Sequence, residues 1–317
     1  MTGPASSYDL SGKTVWVAGG HGMVGSAIIR RLKTENTKAI LAPRSSELDL
    51  RNQAQTRDWV LAHRPDAVFM SAAKVGGIHA NDTYPAEFLY DNLIMAANVI
   101  HAAHEADVAK LLYLGSSCIY PKLAEQPISE ASLMTGPLEP TNAAYAVAKI
   151  SGVYLCQSYA RQYGHNFISA MPTNLYGPSD NYHPENSHVI PGLIRRIHAA
   201  KQAGDPSVSI WGSGKPRREF LHADDCADAL VHVMKCYEDT GETINIGSGT
   251  DMTISELAQL ICDVIGFQGE LDYDTSKPDG TPRKLMSGAK LAGLGWSPKI
   301  ELRDGLHSAF QDFVKTL

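Results

Sequence analysis

The turn Ala18-Gly19-Gly20-His21-Gly22-Met23-Val24-Gly25 narrows most what this chain can fold into. It follows a short apolar run, Thr14-Val15-Trp16-Val17-Ala18, and precedes a helical pattern that continues to about Leu32. The spacing fits G-x-G-x-x-G from Gly20 and the looser G-x-x-G-x-x-G from Gly19. Glycines at these positions let the backbone turn tightly and approach a pyrophosphate at a helix amino terminus, where free N–H groups and the dipole favour anions. A strand, a glycine turn and a helix in this order predict a dinucleotide-binding unit.

The alternation continues. Apolar runs at 39–42, 67–70, 111–114 and 167–170 are separated by helical stretches, the longest over 85–106 and 143–163. Strands alternating with helices imply right-handed crossovers and a parallel sheet covered on both faces. After Pro172 the pattern loosens, with Pro, Asn, His and Gly dense over 172–192 and again over 277–282. Thr253-Ile254-Ser255-Glu256 reads as a capping box that opens a helix to Ile265. The expected architecture is α/β: a Rossmann-type, doubly wound parallel sheet with a smaller C-terminal substrate-binding α/β lobe. Residues 1–11 are expected as a flexible tail and 12–172 as the nucleotide-binding domain, with segments near 220–248 returning to it; 173–317 form mainly the substrate lobe. At 317 residues the chain has ample core for this.

The net charge of −6 argues against nucleic acid or an acidic membrane surface as partner, so an anionic ligand needs a local cluster of Arg and Lys. The five cysteines are scattered, without C-x-x-C, which fits neither a disulfide framework nor a zinc site; no metal is expected. A reducing, cytoplasmic setting follows. Residues 1–9 lack the apolar core of a signal peptide, and no stretch reads as a membrane span.

Cofactor choice is read at the end of the second strand. Pro43-Arg44-Ser45-Ser46 has no acid before Glu47 for a ribose 2′-hydroxyl, whereas Arg44, with His21, suits a 2′-phosphate; NADP(H) is expected. Further along, Tyr145 and Lys149 stand four apart on a predicted helix and share a face. A lysine ammonium beside a phenol of ordinary pKa ~10 favours the phenolate, so Lys149 is expected to make Tyr145 a better proton carrier near neutrality. Gly115-Ser116-Ser117 ends an apolar run at the carboxyl edge of the predicted sheet, where open α/β sheets bind ligands; Ser116 is placed there to hydrogen-bond a substrate carbonyl.

With Ser116, Tyr145 and Lys149 the chain resembles the extended short-chain dehydrogenase/reductases, and within them the GDP-sugar 3,5-epimerase-4-reductases. The likeness runs from about Lys13 to the C-terminus and is dense in Ala72-Ala73-Lys74-Val75-Gly76-Gly77-Ile78, Gly115-Ser116-Ser117-Cys118-Ile119-Tyr120-Pro121 and Met171-Pro172-Thr173-Asn174-Leu175-Tyr176-Gly177-Pro178. It continues through Asn186-Ser187-His188-Val189-Ile190-Pro191, Trp211-Gly212-Ser213-Gly214, Arg218-Glu219-Phe220-Leu221-His222 and residues 277–284. The related 4,6-dehydratases carry Thr-Asp-Glu near the Cys118 position instead. The family often has Arg at the His21 position and another basic residue near Ser45, so here Arg44 is expected to compensate.

The resemblance implies epimerisation of a GDP-4-keto-6-deoxy sugar at carbons 3 and 5, with Cys118 and His188 as proton carriers, followed by NADPH reduction at carbon 4. Ser116, Tyr145 and Lys149 would serve the carbonyl. A GDP-colitose-type synthase, acting on a 3-deoxy sugar with the same proton carriers, is the alternative. Cofactor contacts are implied at Gly19, His21, Gly22, Met23, Val24, Gly25, Arg44, Ser45, Asp49, Leu50, Ala72, Ala73, Leu114, Gly115, Ser117, Pro172, Thr173, Asn174 and Leu175. Substrate contacts are implied at Arg196, Trp211, Arg218, Asp279 and Lys284. Family members also pair as dimers through the two long helices, over 85–106 and 143–163, for which Ile94, Asn98, His101 and Leu155 are candidate contacts.

Overall fold

The structure, a computed structural model, describes residues 8–317. Its first half runs β1 (Thr14–Ala18), α1 (Met23–Leu32), β2 (Ala39–Leu41), α2 (Gln53–His63), β3 (Ala67–Met70), α3 (Ile78–Thr83), α4 (Pro85–Glu105), β4 (Lys110–Leu114), α5 (Ala143–Tyr163) and β5 (Asn166–Pro172). There follow β6 (Asn174–Tyr176), α6 (Val189–Ala203), β7 (Ser207–Trp211), β8 (Arg217–His222), α7 (Ala223–Cys236) and β9 (Thr243–Ile246). The chain closes with β10 (Asp251–Thr253), α8 (Ile254–Ile265), β11 (Glu270–Asp274), β12 (Arg283–Lys284), α9 (Ala289–Gly293) and α10 (Leu302–Val314).

Six strands form one parallel sheet in the order β2-β1-β3-β4-β5-β9. Because β2 and β3 flank β1 on opposite sides, their crossovers leave in opposite directions and open a crevice at the carboxyl edge of β1. The period-two alternation of β1 divides its side chains between the two faces. Val15 and Val17 join a core with Ile28 of α1 and Leu230 of α7, while Trp16 and Ala18 join one with Val99 of α4 and Val153 of α5. On the first face, Arg31 of α1 pairs with Asp228 of α7 at 2.6 Å and Glu35 with Lys235 at 2.9 Å.

A third core lies under α6, α8 and α10, built on Leu193, Ile210, Phe220, Ile261 and Phe313. Its strands form two small sheets: β8 pairs with β6, β10 and β12, and β7 pairs with β11. α8 opens with a capping box, Thr253 and Glu256 each satisfying the other's backbone N–H. Only Thr173 separates β5 from β6, so one extended run passes from the large sheet into the small one, its N–H bonded to the Ile246 carbonyl at 3.0 Å. The buried carboxylate of Glu219 accepts N–H groups from Gly249 (2.7 Å) and Met286 (3.1 Å), tying β8 to two later loops.

One boundary differs from expectation. Residues 1–7 of the expected tail lie outside the described residues, but the tail does not extend to residue 11. The Tyr8 N–H donates to the Lys235 carbonyl and its hydroxyl to the Asp66 carbonyl, both at 2.9 Å, and Leu10 is fully buried. The polar neighbours of Tyr8 and Leu10 mask one half-buried side chain and one that the core buries. Among the described residues no helix is long and apolar enough to cross a membrane.

Candidate active site

The glycine turn closes where the sequence placed it. Gly19 has φ +83°, and a Cβ there would stand 2.6 Å from the Ala72 backbone nitrogen; a Cβ on Gly25 would run into the Gly19 carbonyl. Gly22 occupies the N-cap of α1 with no side-chain cap, and the first turn carries no acidic residue. Its N–H groups are therefore available to an anion. The turn forms part of the wall of a cleft of about 960 Å³, which reaches from Trp16 and Leu48 past Ser116, Tyr145 and Lys149 to Leu175 and His188. A long cleft with an uncapped helix terminus along its wall fits a dinucleotide.

Every expected cofactor residue lines this cleft except Arg44. Arg44 is exposed, at the start of a tight turn in which its own N–H donates to the Glu47 carboxylate at 2.7 Å. That turn directs Arg44 outward and leaves Pro43, Ser45 and Ser46 in the wall. His21 also lines it, with Nε2 2.9 Å from the Ala42 carbonyl. Arg51 supplies a cation to the lining that sequence reasoning missed, paired with Asp49 at 2.9 Å and with Asp91 of α4 at 3.9 Å. Lys74, quoted only as part of a motif, lines the cleft too and bonds Glu87 and Asp91.

At the reaction centre, α5 carries Tyr145 and Lys149 one turn apart. Lys149 is buried, its Nζ donating to the Leu114 carbonyl at 2.8 Å and lying 5.7 Å from the centre of the Tyr145 ring. Burial holds its ammonium down to about 8. Ser116 sits at the head of a short 3-10 turn, Ser117–Ile119, where its Oγ accepts the Cys118 N–H at 3.3 Å. The same hydroxyl acts on the Tyr145 phenol and the Cys118 thiol, opposing the rise of both. The expected effect of Lys149 on the phenol is not what dominates. Burial pushes Tyr145 well above its ordinary value, Ser116 being the group that opposes it. Tyr145 therefore stands protonated at neutrality.

Cys118 is buried, and burial raises its thiol; Lys284 leads the opposing influences, followed by Ser116 and Lys149. It lies behind Ser116 on the Lys284 side and is absent from the lining of the cofactor cleft. His188 occupies the N-cap position of α6 without capping it. Its ring is open to the cleft but enclosed by protein, and that enclosure holds the imidazole below its usual value.

Four of the five expected substrate residues form two charged groups, and the fifth braces them. Arg196 stacks over Trp211 at 4.8 Å from the ring centre, with Lys277 at 5.4 Å, while the Trp211 ring remains 40% exposed. Arg218 donates to the Asp279 carbonyl at 3.3 Å and influences Lys284, whose register partner it is across β8 and β12. Burial lowers the Arg218 guanidinium to about 10. The Asp279 carboxylate is taken up by the N–H (2.7 Å) and hydroxyl (2.8 Å) of Ser213, so it holds the 212–214 turn in place. Electrostatic influence thus runs from Arg218 through Lys284 to Cys118, beside Ser116.

An uncapped dinucleotide cleft meeting a Ser, Tyr and Lys centre defines a class of nicotinamide-dependent enzymes, and the comparisons agree. Residues 15–247 match the model of the NAD dependent epimerase/dehydratase family, and the chain belongs to that family. Within it the chain belongs with the GDP-L-fucose synthases. It is 57% identical to the GDP-L-fucose synthase of Sinorhizobium fredii over 310 residues, which cover 98% of each chain. The crystal structure of a GDP-L-fucose synthetase from Naegleria fowleri bound to NADP superposes with a TM-score of 0.89 at 31% identity, covering 100% of this chain and 98% of that one. A GDP-L-colitose synthase of Yersinia pseudotuberculosis stands further off, 38% identical over 301 residues covering 95% of this chain and 97% of that one.

Proposed function

We propose that this chain converts GDP-4-keto-6-deoxy-D-mannose to GDP-L-fucose, using NADP(H), by epimerising carbons 3 and 5 and then reducing carbon 4. The observation that carries this reading is the position of Ser116, whose hydroxyl accepts the Cys118 N–H and influences both the Tyr145 phenol and the Cys118 thiol. A ketone oxygen held by Ser116 and Tyr145 acidifies the C–H bonds on both neighbouring carbons, and the same two donors stabilise the enolate that forms. Inverting each carbon needs proton exchange on two faces. The buried thiol of Cys118 rests protonated and the imidazole of His188 rests neutral, so one holds a proton and the other can accept one.

NADPH, when bound along the glycine turn, supplies the hydride that carbon 4 receives. Tyr145 gives its proton to the carbonyl oxygen, and Lys149, fixed by the Leu114 carbonyl, places a cation behind the ring. Arg196, Arg218 and Lys284 offer charge-assisted hydrogen bonds to the diphosphate, and the open Trp211 ring offers a stacking face to the base. The guanine itself is inferred from the named relatives, and their higher identity favours the 3-hydroxylated sugar over the colitose-type substrate.

The test is incubation in deuterated water with and without NADPH, read by mass spectrometry. The expected result is deuterium at two ring carbons without cofactor, and NADPH oxidation only when cofactor is added. Exchange at neither carbon would overturn the reading. Offering the 3-deoxy sugar alongside distinguishes the alternative.

We further propose a homodimer in a reducing cytoplasm, consistent with five unpaired thiols. α4 and α5 pack side by side and expose Tyr90, Leu93, Val147 and Tyr154, an apolar face suited to a second copy. Asn98 does not belong to that face: it is buried and donates to the Leu50 carbonyl at 2.9 Å. Light scattering is expected to give twice 34.3 kDa, and replacing Leu93 and Tyr154 by Glu should give the monomer mass. A monomer mass for the unaltered chain would refute the dimer.

A further inference from the structure

Three carboxylates line the cofactor cleft. Asp49 and Asp91 face cations, Arg51 and Lys74; Asp180 has none among the described residues. Asp180 Oδ1 accepts the Asn181 N–H at 2.7 Å, while Oδ2 is buried with no hydrogen-bond partner. The segment that carries it is pinned on both sides. Ser179, in the left-handed region at φ +67°, donates its N–H to Asp312 of α10 at 2.7 Å, and the Tyr182 hydroxyl donates to the Ala309 carbonyl at 2.9 Å. Tyr182 also lies 4.6 Å from Phe313, centre to centre. These contacts fix the backbone from which the carboxyl projects.

An unpaired buried carboxylate in a cleft built for a pyrophosphate presents a conflict. As an anion it would repel the ligand and leave an oxygen unsatisfied; as a neutral acid it gains an O–H donor. We propose that Asp180 binds the dinucleotide as a neutral carboxylic acid, taking one proton from solvent as the cofactor enters and donating its O–H to it. Burial pushes this carboxyl up to about 7, and a nearby phosphate charge pushes it further in the same direction. The titratable and charged groups around it are Tyr182 on its own segment, Asp312 on α10, Arg195 and His188 on α6, and His21 across the cleft.

The sign follows from linkage. The complex holds the proton more tightly than the free protein, so affinity is greatest below the free value and falls as pH rises through about 7. The proposal rests on the cleft holding the cofactor, and binding by titration calorimetry tests both. NADP+ and NAD+ are titrated into the wild type, Asp180→Asn and Asp180→Ala at pH 6.5 and 8.5, in buffers of different ionisation enthalpy; NAD+ removes the ionisation of the 2′-phosphate. The wild type is expected to lose about ten-fold in affinity between the two pH values and to show buffer-dependent proton uptake. Asp180→Asn, which keeps a donor, should bind at both with the wild-type affinity of pH 6.5, and Asp180→Ala should be about ten-fold weaker at pH 6.5 and no more pH-dependent than Asp180→Asn. Equal pH dependence in wild type and Asp180→Asn, or no proton uptake, overturns the proposal alone. No dinucleotide binding by any of the three overturns the cofactor reading and the proposal together.

Discussion

Replacing Tyr145 by Phe is expected to lower 4-keto reduction by at least a thousand-fold while leaving the protein folded and able to bind cofactor. The phenol, ordinarily near pKa ~10 and raised further by burial, stands protonated at neutrality. It is therefore ready to give a proton to the carbonyl oxygen, a general-acid contribution of about 10²–10⁴. The same hydroxyl is one of two donors to the enolate oxygen, and loss of one such donor costs about 10²–10³. Phe keeps the ring, its 6.2 Å edge contact with Phe88 and nearly all of the buried volume, so stability should change by no more than about 1.5 kcal/mol. Rates are measured by NADPH absorbance under single turnover, with NADP+ affinity as the control. Retention of a tenth of the rate would remove Tyr145 from the proposed role. Proton exchange should also slow, but by less, because Ser116 remains.

Cys118→Ser should separate the two half-reactions in the other direction. The hydroxyl is nearly isosteric and leaves the backbone bond from residue 118 to Ser116 in place, but an alcohol surrenders its proton far less readily than a thiol. Deuterium exchange at the ring carbons is expected to fall by at least a hundred-fold, with cofactor affinity unchanged. Because Ser116, Tyr145 and Lys149 are untouched, slow reduction of the un-epimerised ketone should persist and yield a GDP-6-deoxyhexose of unaltered configuration. Product analysis by NMR reads this directly. Exchange of both protons at the wild-type rate would show that another group carries them.

The parts of this molecule legible in the sequence are those whose chemistry is local. The glycine turn could be placed because Gly19 and Gly25 answer to sterics within a few residues, and Tyr145 and Lys149 because helix spacing alone puts them on one face. Cys118, His188 and the substrate cluster came from likeness of motif; nothing in their local spacing joins Arg218 to Asp279 or Lys284 to Cys118. The direction of Arg44 could not be read because it is set by the turn that Glu47 closes, and Asn98 was misread because a polar residue within a long helix gives no hint of the Leu50 carbonyl it bonds. Arg51 and Asp180 were illegible for the same reason. One takes its meaning from Asp91, forty residues on, and the other from α10, packed against its segment from more than a hundred residues away.

The single residue between β5 and β6 has a mechanical consequence. A continuous pleated ribbon forms the floor where nicotinamide and sugar must meet, and Thr173 is anchored to Ile246 within it. Such a floor has no slack to act as a pivot, so the distance between hydride donor and ketone is built in during folding and does not wait for a jaw to shut.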